Sequence, residues 1–252
     1  MHRMSYDEFR VALTLRLHLP QKCILSGTVC DCKTTGTPIP LDVHGIHLTT
    51  GCHKRGNATR NHDRVKEQTV KLLAYCGLSM KVEERDAFRV FDEENGQRPD
   101  ITIFNLPDHQ GNYYLDVRIT SPIPPNTGQL SLTQARQHFR AGNQSFREKM
   151  RAYRLATDNN LGFSPIVFET TGQMHSDTAT FFANCLNHAS RVRKVPSPIL
   201  WKYWMSSVMC TLQRSMAMGI ITRSFEVYGC RFQESSDTLP AAIRGFPSIR
   251  AA

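Results

Sequence analysis

The chain has 252 residues, 40% of them hydrophobic, enough for a real core built as one large domain or as a main domain with an appendage. Lys and Arg number 31 against 22 Asp and Glu, a formal net charge of +9, and that balance favours nucleic acid or an anionic surface as partner. No apolar run approaches the roughly 20 residues that span a bilayer, and Arg3, Asp7, Glu8 and Arg10 stand where a signal peptide needs unbroken apolar sequence. The expectation is therefore an intracellular protein with no membrane partner.

In chain order, residues 5–19 carry two conflicting patterns. Ser5-Tyr-Asp-Glu8 is a capping box, which starts helices. Phe9, Val11, Leu13, Leu15, Leu17 and Leu19 alternate with polar residues, which is a strand period. We take the short helix, ending before Pro20.

Residues 20–60 have no periodicity and many glycines and prolines, so something other than an apolar core must order them. Eight cysteines in a reducing compartment point to metal ligands or buried thiols rather than disulfides. Cys23, Cys30, Cys32 and Cys52 cluster here, whereas Cys76, Cys185, Cys210 and Cys230 are scattered. Cys30-x-Cys32 followed by His47-x4-Cys52 matches a Cys-Cys-His-Cys zinc knuckle. Three thiolates and an imidazole suit Zn²⁺, and four protein ligands make the ion structural. Cys23 and His44 remain alternative ligands. The stretch after the knuckle is basic, and Lys54, Arg55, Arg60, His62, Arg64 and Lys66 are candidates for gripping phosphates near a helix N-terminus.

A helix is predicted from about Asn61 to Tyr75, with Val65, Thr69, Leu72 and Cys76 on one face and Gly77 as its stop. A strand is predicted near Met80–Glu84. The next segment, Arg98-Pro99-Asp100 through Arg118, holds two short runs rich in Ile, Phe and Tyr around a turn containing Pro107, Asp108, Gly111 and Asn112. That is a β-hairpin pattern. Asp100 opens its first strand and Asp116 lies near the end of its second, so antiparallel pairing brings the two together. Two close carboxylates are costly without positive charge between them, and a divalent cation with oxygen ligands is the usual answer.

A Pro-rich loop, 122–128, precedes a helix predicted from about Leu132 to Leu155, with Gly142 as an expected break and with Lys149 and Tyr153 sharing a face. A short strand follows over Pro165–Thr170. Helix, three strands, helix, strand describes an α/β fold: a mixed central sheet with helices on its faces. From Ser176 the chain reads as helical, and its Met and aromatic stripe, including Trp204, Val208, Leu212 and Met216, reads as core. The expected division is 1–57 for the helix and knuckle, 58–175 for the α/β core, and 176–252 for a helical extension with a loose tail.

Taken together, Asp42-x2-Gly45-x-His47-x4-Cys52, Arg60-Asn-His62, Arg98-Pro-Asp100, Asp116-Val117-Arg118, Lys149-x3-Tyr153 and Phe163-x-Pro165-x3-Glu169 resemble the PD-(D/E)XK nuclease superfamily. More narrowly, they resemble the restriction-like endonuclease region of non-LTR retrotransposon and reverse-transcriptase-derived proteins. The resemblance implies a restriction-endonuclease-like core and a DNA-nicking, metal-dependent endonuclease, with a non-catalytic zinc-containing nucleic-acid-binding module or a structure-specific resolvase or repair nuclease as the alternatives. It implies DNA as partner with RNA as the alternative, an associated reverse transcriptase, and a nuclear location. Asp100 and Asp116 would hold Mg²⁺ or Mn²⁺ with the Val117 carbonyl. Lys149 would replace the lysine missing from the strand, where Arg118 stands. Glu67 or Glu84 would add a carboxylate, and Arg98, Arg118 and Tyr153 would contact phosphates.

Overall fold

The computed structural model describes residues 3–25, 27–30, 32, 38–52, 57–84, 87–88, 98–123, 139–159 and 161–228. Helix α1, Tyr6–Arg16, begins with the predicted capping box closed in both directions: Ser5 Oγ accepts from the Glu8 N–H at 3.2 Å, and Glu8 Oε2 accepts from the Ser5 N–H at 2.7 Å. It buries Val11, Ala12 and Leu15, while Phe9, Leu17 and Leu19 stay exposed. The alternating pattern was thus coincidental, because half of its members face solvent.

Two short strands, β1 (Val29–Cys30) and β2 (Ile39–Pro40), pair antiparallel. A single π-helical turn follows at His47–Gly51. Helix α2, Asn57–Tyr75, starts four residues before the expected Asn61. It buries Val65, Thr69, Leu72 and Leu73 and stops at Gly77, whose φ of +81° is the left-handed conformation that glycine adopts without strain.

The main sheet has the order β3-β4-β5-β6, with strands Met80–Val82, Ile101–Ile103, Tyr113–Thr120 and Gly162–Glu169. The first two pairings are antiparallel, and β5 pairs parallel with β6. A parallel pair needs a crossover. Helices α3 (Arg140–Ala152) and α4 (Arg154–Asp158) lie in it. All eight residues of β6 are buried, as expected for a parallel strand covered on both faces. The expected α/β class, a mixed sheet flanked by helices, is what the chain forms.

The expected break at Gly142 does not occur. Gly142 lies inside α3 because the Phe139 ring packs against it, and a Cβ there would come within 1.9 Å of that ring. The helix breaks at Tyr153 instead, between α3 and α4. The predicted start near Leu132, the hairpin's approach at 89–97 and the tail after Asp237 fall outside the described residues.

Helix α5, Ser176–Arg193, and the 32-residue α6, Ser197–Tyr228, complete the chain. Trp204, Val208, Leu212, Met216 and Ile220 are buried at four-residue steps on α6, so the Met and aromatic stripe is core. Each such side chain contributes about 1.5–3 kcal/mol relative to exposure. One apolar cluster takes in Val11, Ile46, Leu72, Ile166, Leu186 and Met216. A smaller one, Phe88, Tyr114, Tyr153, Ala156 and Phe163, lies on the sheet face under α3 and α4. Cys76 and Cys185 are core thiols, pushed by burial up to about 11 and about 12. No helix among the described residues is long and apolar enough to cross a membrane.

An ion network ties α2 to the sheet edge. Lys66, 6% exposed, pairs with Glu83 and lies 3.1 Å from Asp63 Oδ1, while Arg98 Nη1 lies 3.4 Å from Glu83 Oε2. The hydrogen bond and charge of Lys66 hold the Glu83 carboxyl below its usual 4.5. Asp63 is held below 3.8 because Lys66 and His62 outweigh its burial. Depressed carboxyls contribute stability that is full above those ordinary values and is lost as pH falls through the lowered ones. Melting temperature should therefore drop as pH falls below about 4.5, the ordinary carboxylate range. Glu83→Gln should flatten that drop and cost about 1 kcal/mol near neutrality, a small figure because Glu83 is half-exposed.

Candidate functional site

The four predicted knuckle ligands converge. Cys30, Cys32, His47 and Cys52 are all buried, and their ligand atoms lie within 4.8 Å of one another. Cys30 Sγ and Cys52 Sγ are 3.6 Å apart, and Cys32 Sγ is 3.1 Å from His47 Nε2. Three thiols and an imidazole gathered in this way are a donor set that a tetrahedral Zn²⁺ would take as four ligands.

The alternatives are settled by packing. The Cys23 thiol is raised by burial and hydrogen-bonds with Ser224. His44 stacks on His18 with ring centroids 3.9 Å apart. Neither joins the cluster.

Asp42 organises the turn that carries the imidazole. Its Oδ1 accepts from the N–H groups of His44 at 3.1 Å and Ile46 at 3.0 Å, and its Oδ2 accepts from that of His47 at 3.0 Å. This is the reason for an acid at that spacing, a role the sequence alone does not announce.

The second group forms at the sheet. Ile101 pairs with Leu115, and Asp100, one residue before the ladder, lies near Asp116 at the end of the pair. Asp100 Oδ2 accepts from the Val117 N–H at 2.7 Å and lies 3.0 Å from His62 Nε2. From α3, Lys149 Nζ comes to 2.8 Å from Asp116 Oδ1 and donates to Oδ2 at 3.0 Å. Asp116 is 5% exposed, and its carboxyl is raised first by burial and further by the charge of Asp100, against the opposing pull of Lys149 and Tyr153. For His62, burial opposes the imidazolium, but Asp100 and Asp63 outweigh it and the pKa rises.

These residues line one cleft of about 520 Å³, whose walls include Thr49, Thr50, Asn61, His62, Asp100, Asp116, Val117, Arg118 and Lys149. The structure thus gathers the two acids, the lysine, His62, Val117 and Arg118. Arg118 is exposed at the rim.

The other described candidates do not line the cleft, although Tyr153 hydrogen-bonds Asp116 from beneath it. Glu67 is exposed, Glu84 pairs with Lys81 at 3.1 Å, and neither lines the cleft. Tyr153 is buried and donates its hydroxyl to the Arg98 carbonyl at 3.0 Å, bracing the Arg98-Pro99-Asp100 turn from beneath. Arg98 is engaged with Glu83. Arg60 is exposed beside Asn57, and Arg64 donates to Met218 Sδ at 3.5 Å. Lys54 and Arg55 lie outside the described residues.

A scan against protein-family models gives no match, and a search of curated proteins gives none either.

The thiol cluster makes a stoichiometric prediction. Purified protein should carry one zinc per chain by elemental analysis. Cys30→Ser or Cys52→Ser should abolish it and lower the melting temperature, while Cys23→Ser and His44→Gln should retain it.

Proposed function

We propose that the chain is a metal-dependent endonuclease that cleaves DNA phosphodiester bonds. The observation that carries this reading is the meeting of Asp100, Asp116 and Lys149 in one cleft, from two strands and a helix.

The donor set fits a hard cation: two neighbouring carboxylates, with the Val117 backbone beside them. Asp100 and Asp116, with the Val117 carbonyl, would hold Mg²⁺ or Mn²⁺. Such an ion, when bound, neutralises charge on the phosphate and makes a water more acidic. Lys149 has its ammonium at the carboxylate that would carry the ion, positioned to orient the attacking water or to stabilise charge growing on the phosphate oxygens. The Val117 N–H and His62 keep Asp100 oriented toward the cleft. Arg118 offers a guanidinium to a neighbouring phosphate.

The order and spacing of the motifs support the finer reading: a PD-(D/E)XK core with a structural zinc, nicking DNA in the nucleus alongside a reverse transcriptase, for retrotransposon integration. The net charge of +9 agrees with a nucleic-acid partner.

One observation favours a second reading. The Lys149–Asp116 pair is direct, and buried ion pairs are also used purely to satisfy a buried charge. On that reading the chain is a zinc-containing nucleic-acid-binding module that does not cut. A nicking assay on supercoiled plasmid with Mg²⁺ separates the two. Wild type should nick, and Asp100→Ala and Lys149→Ala should each lower the rate by on the order of 10² or more. Salt-sensitive binding without nicking, or both variants nicking as fast as wild type, would reject the catalytic assignment.

A further inference from the structure

The knuckle is more than a staple beside the sheet. Its π-helical turn starts on one metal ligand, His47, and ends one residue before another, Cys52. An ion held by the cluster would therefore tie both ends. Between them, Thr49 and Thr50 form part of the cleft wall that faces Asp100, Asp116 and Lys149.

The two threonines have different tasks. Thr49 is 1% exposed and donates its hydroxyl back to the Ile46 carbonyl at 2.7 Å. Thr50 is only half-buried, which leaves it as the hydroxyl of the pair open to a ligand. A wide turn also leaves carbonyls without the usual helical donor. The Thr49 carbonyl accepts instead from Asn61 Nδ2 at 3.0 Å, and Asn61 Oδ1 accepts from Ser215 Oγ at 2.7 Å. Asn61 is 3% exposed and immediately precedes His62, whose ring meets Asp100. One buried amide thus joins the turn between the two ligands, the helix carrying His62 and the long C-terminal helix.

We propose that the turn between His47 and Cys52 is the substrate-gripping wall of the cleft. Thr50 is its contact to a nucleic-acid phosphate, and Asn61 is the positioning residue that holds the zinc-set wall in register with the acids. The inference rests on the nucleic-acid reading of the cleft but not on cleavage. A hydroxyl is suited to this place, since phosphate oxygens accept from Thr side chains as readily as from charged ones.

The test uses the full chain, a fluorescein-labelled DNA duplex and fluorescence anisotropy without Mg²⁺, so that binding is read apart from chemistry. With zinc in place, Thr50→Val should weaken binding about three- to tenfold, the range of one net hydrogen bond. In nicking assays it should raise KM more than it lowers kcat. Stripping zinc with a thiol-competing chelator under reducing conditions should weaken the wild type similarly, and Thr50→Val should then add nothing. Asn61→Asp, which keeps the Ser215 bond but loses the donor to Thr49, should raise amide exchange in the turn and weaken binding with zinc still bound. A Thr50→Val protein that binds like wild type, or one that loses the same factor with and without zinc, would overturn the proposal. A wild type that binds no duplex would overturn it as well. Duplex binding with this dependence but no nicking would remove the nuclease reading and leave this one standing.

Discussion

Two carboxylates opposite each other on neighbouring strands repel, and burial makes each more costly to ionise. Asp116 is buried within reach of the charge of Asp100, and its raised carboxyl records the cost. The surrounding elements answer it. The strand itself contributes the Val117 N–H, α2 brings His62, and α3 brings Lys149 across from the crossover. Tyr153, on the same face of the chain as Lys149, braces the turn before Asp100. An arrangement that needs so many partners to tolerate two acids is poorly explained by stability alone. Cores are more cheaply built from apolar residues, and a buried acid in a cleft with its carboxyl raised is a candidate functional group.

The thiol cluster solves a different problem. Residues 20–56 are too rich in glycine and proline to be ordered by an apolar face, yet Ile46 and Leu48 are fully buried and belong to the main core. Asp42 gathers three N–H groups at the start of the turn, and the cluster lies at its two ends. Gly45, at φ +76°, lets the chain reverse there, where any Cβ would press on Ile24 and Ile220 at 3.0 Å. The knuckle is thus joined to the sheet through α2 and α6 rather than tethered by a linker.

Much of this was legible in the sequence because it is local. Helix α2 and the stripe on α6 have clear helical periods, and the hairpin has two runs rich in Ile, Phe and Tyr around turn residues. The ligand set was written in close spacing. Three features were misleading for identifiable reasons. In α1, exposed Phe9, Leu17 and Leu19 imitated a strand. Gly142 looked like a breaker, but it is there to make room for Phe139. Tyr153 looked like a surface phosphate contact and is instead part of a buried aromatic group with Phe88 and Phe163. What sequence spacing hides is long-range pairing. Lys66 with Glu83, and Asn61 with Ser215 some 154 positions on, follow only from how the elements pack. Cys23 and His44 were alternative ligands by spacing, and their neighbours Ser224 and His18 keep them apart from the cluster.

The most direct measurement is anomalous scattering from a crystal of the wild-type protein soaked with Mn²⁺, collected at the manganese edge. The expected result is a single strong peak between the carboxylates of Asp100 and Asp116, with Lys149 displaced from its direct pairing, and loss of that peak in Asp100→Ala. An empty cleft at saturating Mn²⁺, with Lys149 still closed on Asp116, would contradict the metal-dependent site and leave the acids and the lysine as a buried ion pair.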